Sequence, residues 1–257
     1  MPPAASTASL RRRALAGETV FGLFLDLASP FAAELCARAG YDWLLIDLEH
    51  GGATEADLLG LLQATEVGGA AALVRPQSGE RLRIGRALDL GAEGIMVPRL
   101  DSAEQVREAV TFLRYPPAGV RGVALRTRGA GLGRVAHANV GRVHEAIVGI
   151  VQIESLGALN EAEAIAAIDG VDVLFVGPAD LTHSLGIPGQ FESARYREAL
   201  ETVVAACRAH GKSPGILVYD TAVVPGLLEM GFRFVGIGAD GALVADGARA
   251  ALAAVRG

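Results

Sequence analysis

The sequence predicts a closed (β/α)8 barrel, a TIM barrel, on three observations. Short aliphatic runs recur eight times, stretches of helical period separate them, and 257 residues is the usual length of one such barrel. The runs cover 20–25, 43–47, 71–75, 94–97, 147–153, 171–176, 215–218 and 234–237. Their near-continuous apolar character suits parallel strands covered on both faces. Between them the periodicity predicts helices over 31–39, 55–67, 80–90, 103–112, 156–167, 194–210, 222–230 and 242–255. Thr54 and Ser102 stand where N-caps belong, and Gly40, Gly68, Gly91 and Gly231 where left-handed residues end helices. We read 1–257 as a single barrel domain, with 1–17 a frayed lead-in and 114–145 a long loop insertion. A loop that long inside a compact domain suggests a lid or an oligomer contact.

Composition narrows the class. Half of the chain, 51%, is apolar and only 5% aromatic, so an aliphatic core is expected. A formal charge of −6 argues against nucleic acid as the main partner. No apolar run reaches the roughly 18 residues that span a bilayer, and the basic, small-residue start has no secretory apolar core. Cys36 and Cys207 lack metal-ligand spacing and read as buried free thiols, which suits a reducing compartment. Together these point to a cytoplasmic enzyme. Among 23 basic residues, Lys212 is the only lysine.

In this fold the chemistry sits where strands run into the loops that follow them. The second run ends in Asp47-Leu48-Glu49-His50-Gly51, which offers a histidine base with an aspartate three residues before it. The third ends in Arg75-Pro76. That arginine needs a carboxylate, phosphate or oxyanion to meet, and a salt bridge to a neighbouring barrel carboxylate is the competing reading. In the fifth, Gln152 and Glu154 share one side by period-2 alternation. After the sixth comes Gly177-Pro178-Ala179-Asp180-Leu181. Carboxylates at 154 and 180 come from adjacent strands and can converge on a hard divalent cation, Mg2+, Mn2+ or Co2+, leaving positions for water and substrate oxygens. A glycosidase-like acid/base pair, or an Asp180 that only caps a helix, are the alternatives. The glycine-rich Gly236-Ile237-Gly238-Ala239-Asp240 reads as a tight strand-to-helix turn rather than a phosphate loop. His137, His144, His183 and His210 have no spacing that names a role.

The blocks Ser29-Pro30 to Gly51, Val74-Arg75-Pro76, Ala87 to Pro98, Tyr115-Pro116-Pro117 to Arg121-Gly122, Gln152-Ile153-Glu154 and Gly177 to Leu181 resemble the HpcH/HpaI aldolase family. These are class II, metal-dependent pyruvate aldolases that include hydroxy-oxo-heptanedioate and dehydro-deoxy-glucarate aldolases. The resemblance implies reversible cleavage of a 4-hydroxy-2-oxo acid to pyruvate, or hydroxypyruvate, and an aldehyde. It implies Glu154 and Asp180 as metal ligands, Gln152 near the metal-bound waters, and His50 as base, oriented by Asp47. Arg75 would contact the keto oxygen, and backbone amides around Gly177 to Ala179 the substrate carboxylate; Gly177, Pro178, Ala179 and Leu217 are the further substrate-binding positions. It also implies a homo-oligomer, a hexamer built as a trimer of dimers, with the C-terminal helix exchanged between subunits.

The sequence departs from the family pattern over Leu125 to Val135, which bears on the aldehyde side. A Schiff-base mechanism needs a lysine inside the barrel. Lys212 precedes the seventh strand, at the opposite end. The alternative activity is that of a citrate lyase β or malyl-coenzyme A lyase, with Arg126, Arg128 and Arg134 at the mouth for coenzyme phosphates.

Overall fold

The computed structural model describes residues 9–256. Eight parallel strands, β1 (Val20–Leu25), β2 (Trp43–Asp47), β3 (Ala71–Arg75), β4 (Gly94–Val97), β5 (Val148–Ile153), β6 (Val173–Val176), β7 (Ser213–Val218) and β8 (Phe234–Ala239), close in sequence order into one barrel. The order follows from the connections: each strand returns beside its predecessor by a right-handed helical crossover. The expected barrel is therefore the observed one, and the strand ends agree with the aliphatic runs to within a residue or two.

Alternation divides the strand residues. One set faces the helices; the other, including Val20, Leu45, Leu73, Met96, Val148, Ile150 and Val173, fills the barrel. The scarce aromatics are concentrated there, so this inner core is not purely aliphatic. Phe24, Trp43, Phe175 and Phe234 meet inside the barrel, with Trp43 and Phe234 stacked at 4.7 Å between centroids. Gly22 makes room for them, since a Cβ there would lie 1.9 Å from the Trp43 ring.

Part of the expected lead-in is ordered. Positions 1–8 lie outside the described residues, but Leu10–Leu15 form a helix, α1, capped by Ser9 and seated by the buried Leu10 and Ala14. Helices α2 (Pro30–Arg38), α3 (Leu58–Gly68), α4 (Arg81–Leu90) and α5 (Ala103–Thr111) follow the predicted pattern. Ser102 caps α5 as expected, its hydroxyl accepting from the Gln105 amide at 3.3 Å. Thr54 does not cap α3; that place is taken by Asp57, to which the Thr54 hydroxyl donates. The left-handed residue after α3 is Gly69 rather than Gly68. The helix expected over 156–167 is split into α7 (Leu156–Asn160) and α8 (Ala162–Ala166) by Glu161, whose carboxylate accepts from the Ala103 amide at 2.7 Å. A tertiary bond has overridden a continuous helical period.

The long 114–145 segment joins α5 to β5, through short 3-10 turns and a one-turn helix, α6 (Val140–Val143). It follows a helix and precedes a strand, so it lies at the N-terminal end of the barrel, away from its own chain's strand-to-helix loops. It is no lid over this chain's mouth. Arg128 in it reaches Glu66 and the Leu90 carbonyl, at the C-terminal ends of α3 and α4. No described helix is long and apolar enough to cross a membrane. The last helix, α12 (Asp240–Arg256), starts directly at the end of β8, which is the tight turn expected there.

Candidate active site

Eight side chains from five strand ends meet at the C-terminal mouth. On β2 and β3, Asp47 and Arg75 form a bidentate pair, Nε to Oδ1 at 2.9 Å and Nη2 to Oδ2 at 2.6 Å. Burial would raise the Asp47 carboxyl, but the Arg75 pair and the amides of Glu49 and His50 overrule it and hold the carboxyl below its usual range. Burial likewise opposes the Arg75 charge, and Asp47 restores it. The barrel salt bridge weighed for Arg75 is thus formed. Its Nη1 stays available to the mouth and donates to Gln152 Oε1 at 3.3 Å.

Gln152 relays this contact, since its Nε2 donates to Glu154 Oε2 at 3.0 Å. The other Glu154 oxygen accepts from the Arg99 amide at 2.8 Å. Arg99 leaves β4 with φ +56, a left-handed conformation for a residue with a side chain. Such conformations persist where surrounding structure requires them. Here it aims an amide at Glu154. The Arg99 side chain also reaches Asp180, at 3.5 Å.

Asp180 lies in the first turn of α9 (Pro178–Ser184), a short helix absent from the sequence reading, and is half-exposed. The Gly177 amide is not free, because it donates to the Ile153 carbonyl at 3.3 Å, and Pro178 has no N–H. Of the three residues expected to cradle a carboxylate, only Ala179 offers a donor, an amide of the helix's first turn. Gly177 contributes space instead, since a Cβ there would meet Glu154 Oε2 at 2.8 Å. Leu217 lines the inner wall below the mouth.

His50 stands at the rim with its side chain 68% exposed. Asp47 accepts from its backbone amide at 3.3 Å, so it fixes the loop and not the ring. The carboxylate beside the imidazole is Glu49, 3.8 Å from Nε2. Glu49 was missed in the sequence, although it shares the Asp47–His50 loop. It also lies 3.2 Å from Arg75 Nη1, while its Oε2 is buried without a hydrogen-bond partner.

The electrostatics are lopsided. Burial pushes Glu49 and Glu154 above the usual carboxylate range; Asp47 and Asp180 push Glu49 further, and Glu49 and Asp180 push Glu154 further. Among the described residues no three His, Cys, Asp or Glu side chains form a ready metal cage. Two carboxylates from neighbouring strands with an amide oxygen nearby nevertheless form an all-oxygen donor set. Glu49 Oε2 accepts no hydrogen bond although Arg75 Nη1 lies 3.2 Å away, and the neighbouring carboxylates raise both glutamates, so the mouth holds more acid than its one buried arginine balances. Those features fit a hard divalent cation completed by water and substrate.

Lys212 sits at the other end, its Nζ 3.4 Å from the Ile168 carbonyl. Arg128 is likewise at that end, so the expected basic cluster at the mouth is not formed by this chain's own loop.

The chain is similar to known proteins in sequence and in fold. The family model described as HpcH/HpaI aldolase/citrate lyase matches residues 20–247. A 2-keto-3-deoxy-L-rhamnonate aldolase of Klebsiella pneumoniae is 41% identical, with 90% of this chain and 86% of that protein covered. A 4-hydroxy-2-oxo-heptane-1,7-dioate aldolase of Salmonella arizonae is 39% identical, covering 91% and 89%. The crystal structure of an HpcH/HpaI aldolase/citrate lyase family protein from Burkholderia cenocepacia superposes with a TM-score of 0.91 at 37% identity, over 96% of this chain and 99% of that one. The chain therefore belongs to the HpcH/HpaI aldolase/citrate lyase family and is a carbon–carbon lyase.

Proposed function

We propose that this barrel cleaves 4-hydroxy-2-oxo acids reversibly to pyruvate, or hydroxypyruvate, and an aldehyde, with a divalent cation at the mouth. The observation that carries the reading is the carboxylate-rich mouth around Glu154 and Asp180, with a buried arginine beside it. Glu154 and Asp180 would hold Mg2+, Mn2+ or Co2+, with Gln152 beside the waters. When bound, such an ion supplies Lewis-acid polarisation of the 2-oxo group.

The chain's own residues do the rest. Arg75, locked in orientation by Asp47, directs Nη1 toward the oxygen on which charge develops as the C3–C4 bond breaks. The Ala179 amide receives one oxygen of the substrate carboxylate. His50 accepts the C4 hydroxyl proton, and Glu49 stabilises the imidazolium that results. The same base or water returns a proton to C3. Lys212 at the far end leaves no amine for an imine route.

Soluble small molecules are the partners this site calls for. Exposed Leu243, Val244, Leu252 and Val255 on α12, with Phe31 and Leu35 on α2, support the inference that copies of the chain associate. Exchange of the pyruvate methyl protons in D2O tests the reading. It should require added Mg2+, Mn2+ or Co2+ and stop with EDTA, and borohydride with pyruvate should trap no adduct. Exchange that survives thorough chelation, or a trapped adduct, rejects it.

A further inference from the structure

Opposite the β5–β6 side of the mouth lies a second pair of acids that the proposed chemistry does not use. Asp26 follows β1 and Asp240 follows β8. Alternation carries Asp26 inward above Phe24, and the register Leu25 with Ile46 sets it beside Asp47. Neighbouring strands are roughly 4.8 Å apart, so Asp26 is about one strand spacing from the site residues of β2. Around the barrel, β8 and β1 are diametrically opposed to β4 and β5, and β6 and β7 close the circle. A substrate anchored by its 2-oxo acid end near Glu154 and Asp180, with its C4 hydroxyl toward His50, points its remaining carbons at this wall.

The pair's bonding fixes its charge. Asp240 Oδ1 accepts three amides, from Asp26 at 2.8 Å, Leu27 at 3.3 Å and Gly241 at 2.9 Å. Asp26 Oδ1 also accepts from Gly241, at 2.9 Å. Asp240 Oδ2 is buried with no hydrogen-bond partner among the described residues. Both carboxyls accept from the one Gly241 amide, so the two acids stand side by side and the wall they form is negative. Both acids are spent on the first amide of α12, so the wall offers no free helix N-terminus to an anion.

The surroundings do not cancel the charge. Arg75 is held by Asp47 and Glu49. Cys36 on α2 and Tyr219 beyond β7 face the pair as neutral groups, both pushed up first by burial and then by these acids. Tyr219, mostly exposed at the rim, adds a hydroxyl that can donate to an uncharged oxygen.

We propose that Asp26, paired with Asp240, determines aldehyde specificity: this wall admits uncharged, hydroxyl-bearing aldehydes and disfavours those that carry a carboxylate. The inference rests on the aldolase reading of the site, and the methyl-proton exchange tests that reading separately. Its own test is kcat/KM for addition of pyruvate to two matched two-carbon aldehydes, glycolaldehyde with a hydroxyl and glyoxylate with a carboxylate. The wild-type chain should favour glycolaldehyde. Asp26→Asn keeps an acceptor for Gly241 and a donor for Asp240 but removes the charge. It should shift the glycolaldehyde-to-glyoxylate ratio by about tenfold toward glyoxylate, the order expected for one partly screened charge at this range. Asp26→Ser, smaller and still able to accept from Gly241, should shift it the same way, which covers a failure of the Asn variant to fold. Using the ratio cancels differences in expression, metal loading and aldehyde hydration. A ratio unchanged in both variants, or a wild-type preference for glyoxylate, overturns the inference while exchange persists. Loss of exchange itself would overturn the underlying reading, and this one with it.

Discussion

At the N-terminal end of the barrel, three acids meet arginines directly. Asp172 takes Arg11 Nε and the Gly149 amide, both at 2.9 Å. Asp42 takes Arg13 and the Phe21 amide at 2.8 Å, and Arg121 meets Asp89 at 2.8 Å. At the C-terminal end Glu49, Glu154 and Asp180 crowd together, Asp26 and Asp240 stand side by side on one amide, and Arg75 is the one buried arginine that the described mouth provides. The difference separates two uses of the same side chains. Matched charges staple helix to strand, whereas unmatched charges hold free energy that a cation or substrate can release on binding.

Substitutions that exchange the two behaviours give the sharpest contrast. Glu154→Ala should lower cleavage by about a thousandfold or more, since it removes the proposed metal ligand and the Gln152 anchor together. Kinetics with saturating metal would check it, and thermal unfolding should show little loss. At the other end, Asp172→Ala should cost about 3 kcal/mol of stability by stranding Arg11 and the buried Gly149 amide. Its kcat should stay within a few-fold of wild type once folded. If Asp172→Ala were as damaging to turnover as Glu154→Ala, the two ends would not be separable.

Within the mouth, His50→Ala should lower kcat for cleavage by about a hundredfold. Pyruvate binding, followed by titration, should remain, because the imidazole serves the C4 hydroxyl and not the 2-oxo acid. Equal loss of both would place His50 on the pyruvate side.

The smallest expected effect is on stability. Burial first, and then Asp26, push the Asp240 carboxyl up to about 6. An acid raised in the folded state contributes stability that is complete below its unfolded pKa and is lost as pH rises through the folded value. Melting temperature should therefore decline between the ordinary value of 3.8 and about 6 from this group, and level off above. Asp240→Asn, which mimics the protonated form, should flatten that step and gain about 1 kcal/mol at pH 8. An identical pH profile in the variant would refute the raised Asp240 carboxyl.

Much of this was legible in the sequence. The strands were, because aliphatic runs of four to six residues between helical periods leave little freedom. Asp47, Arg75, Gln152, Glu154 and Asp180 were, because each interrupts or follows an apolar run at its C-terminal end. The same rule reaches Asp26, Arg99 and Asp240, which went unused. The partnerships were not legible: Arg75 choosing Asp47, or Glu49 rather than Asp47 lying beside the His50 ring, depends on the closed barrel. The arginines of 126–134 show the cost of reading composition without connectivity. Their segment follows a helix, so it belongs to the stability end of the barrel, and that order was in the sequence all along.

The most direct test of the charge-deficient mouth is titration of Mn2+ into the wild-type chain and into Glu154→Ala, followed by calorimetry in the presence of pyruvate. The account predicts one Mn2+ per chain in the wild type and none in the variant. Equal binding by both, or none by the wild type, would contradict it.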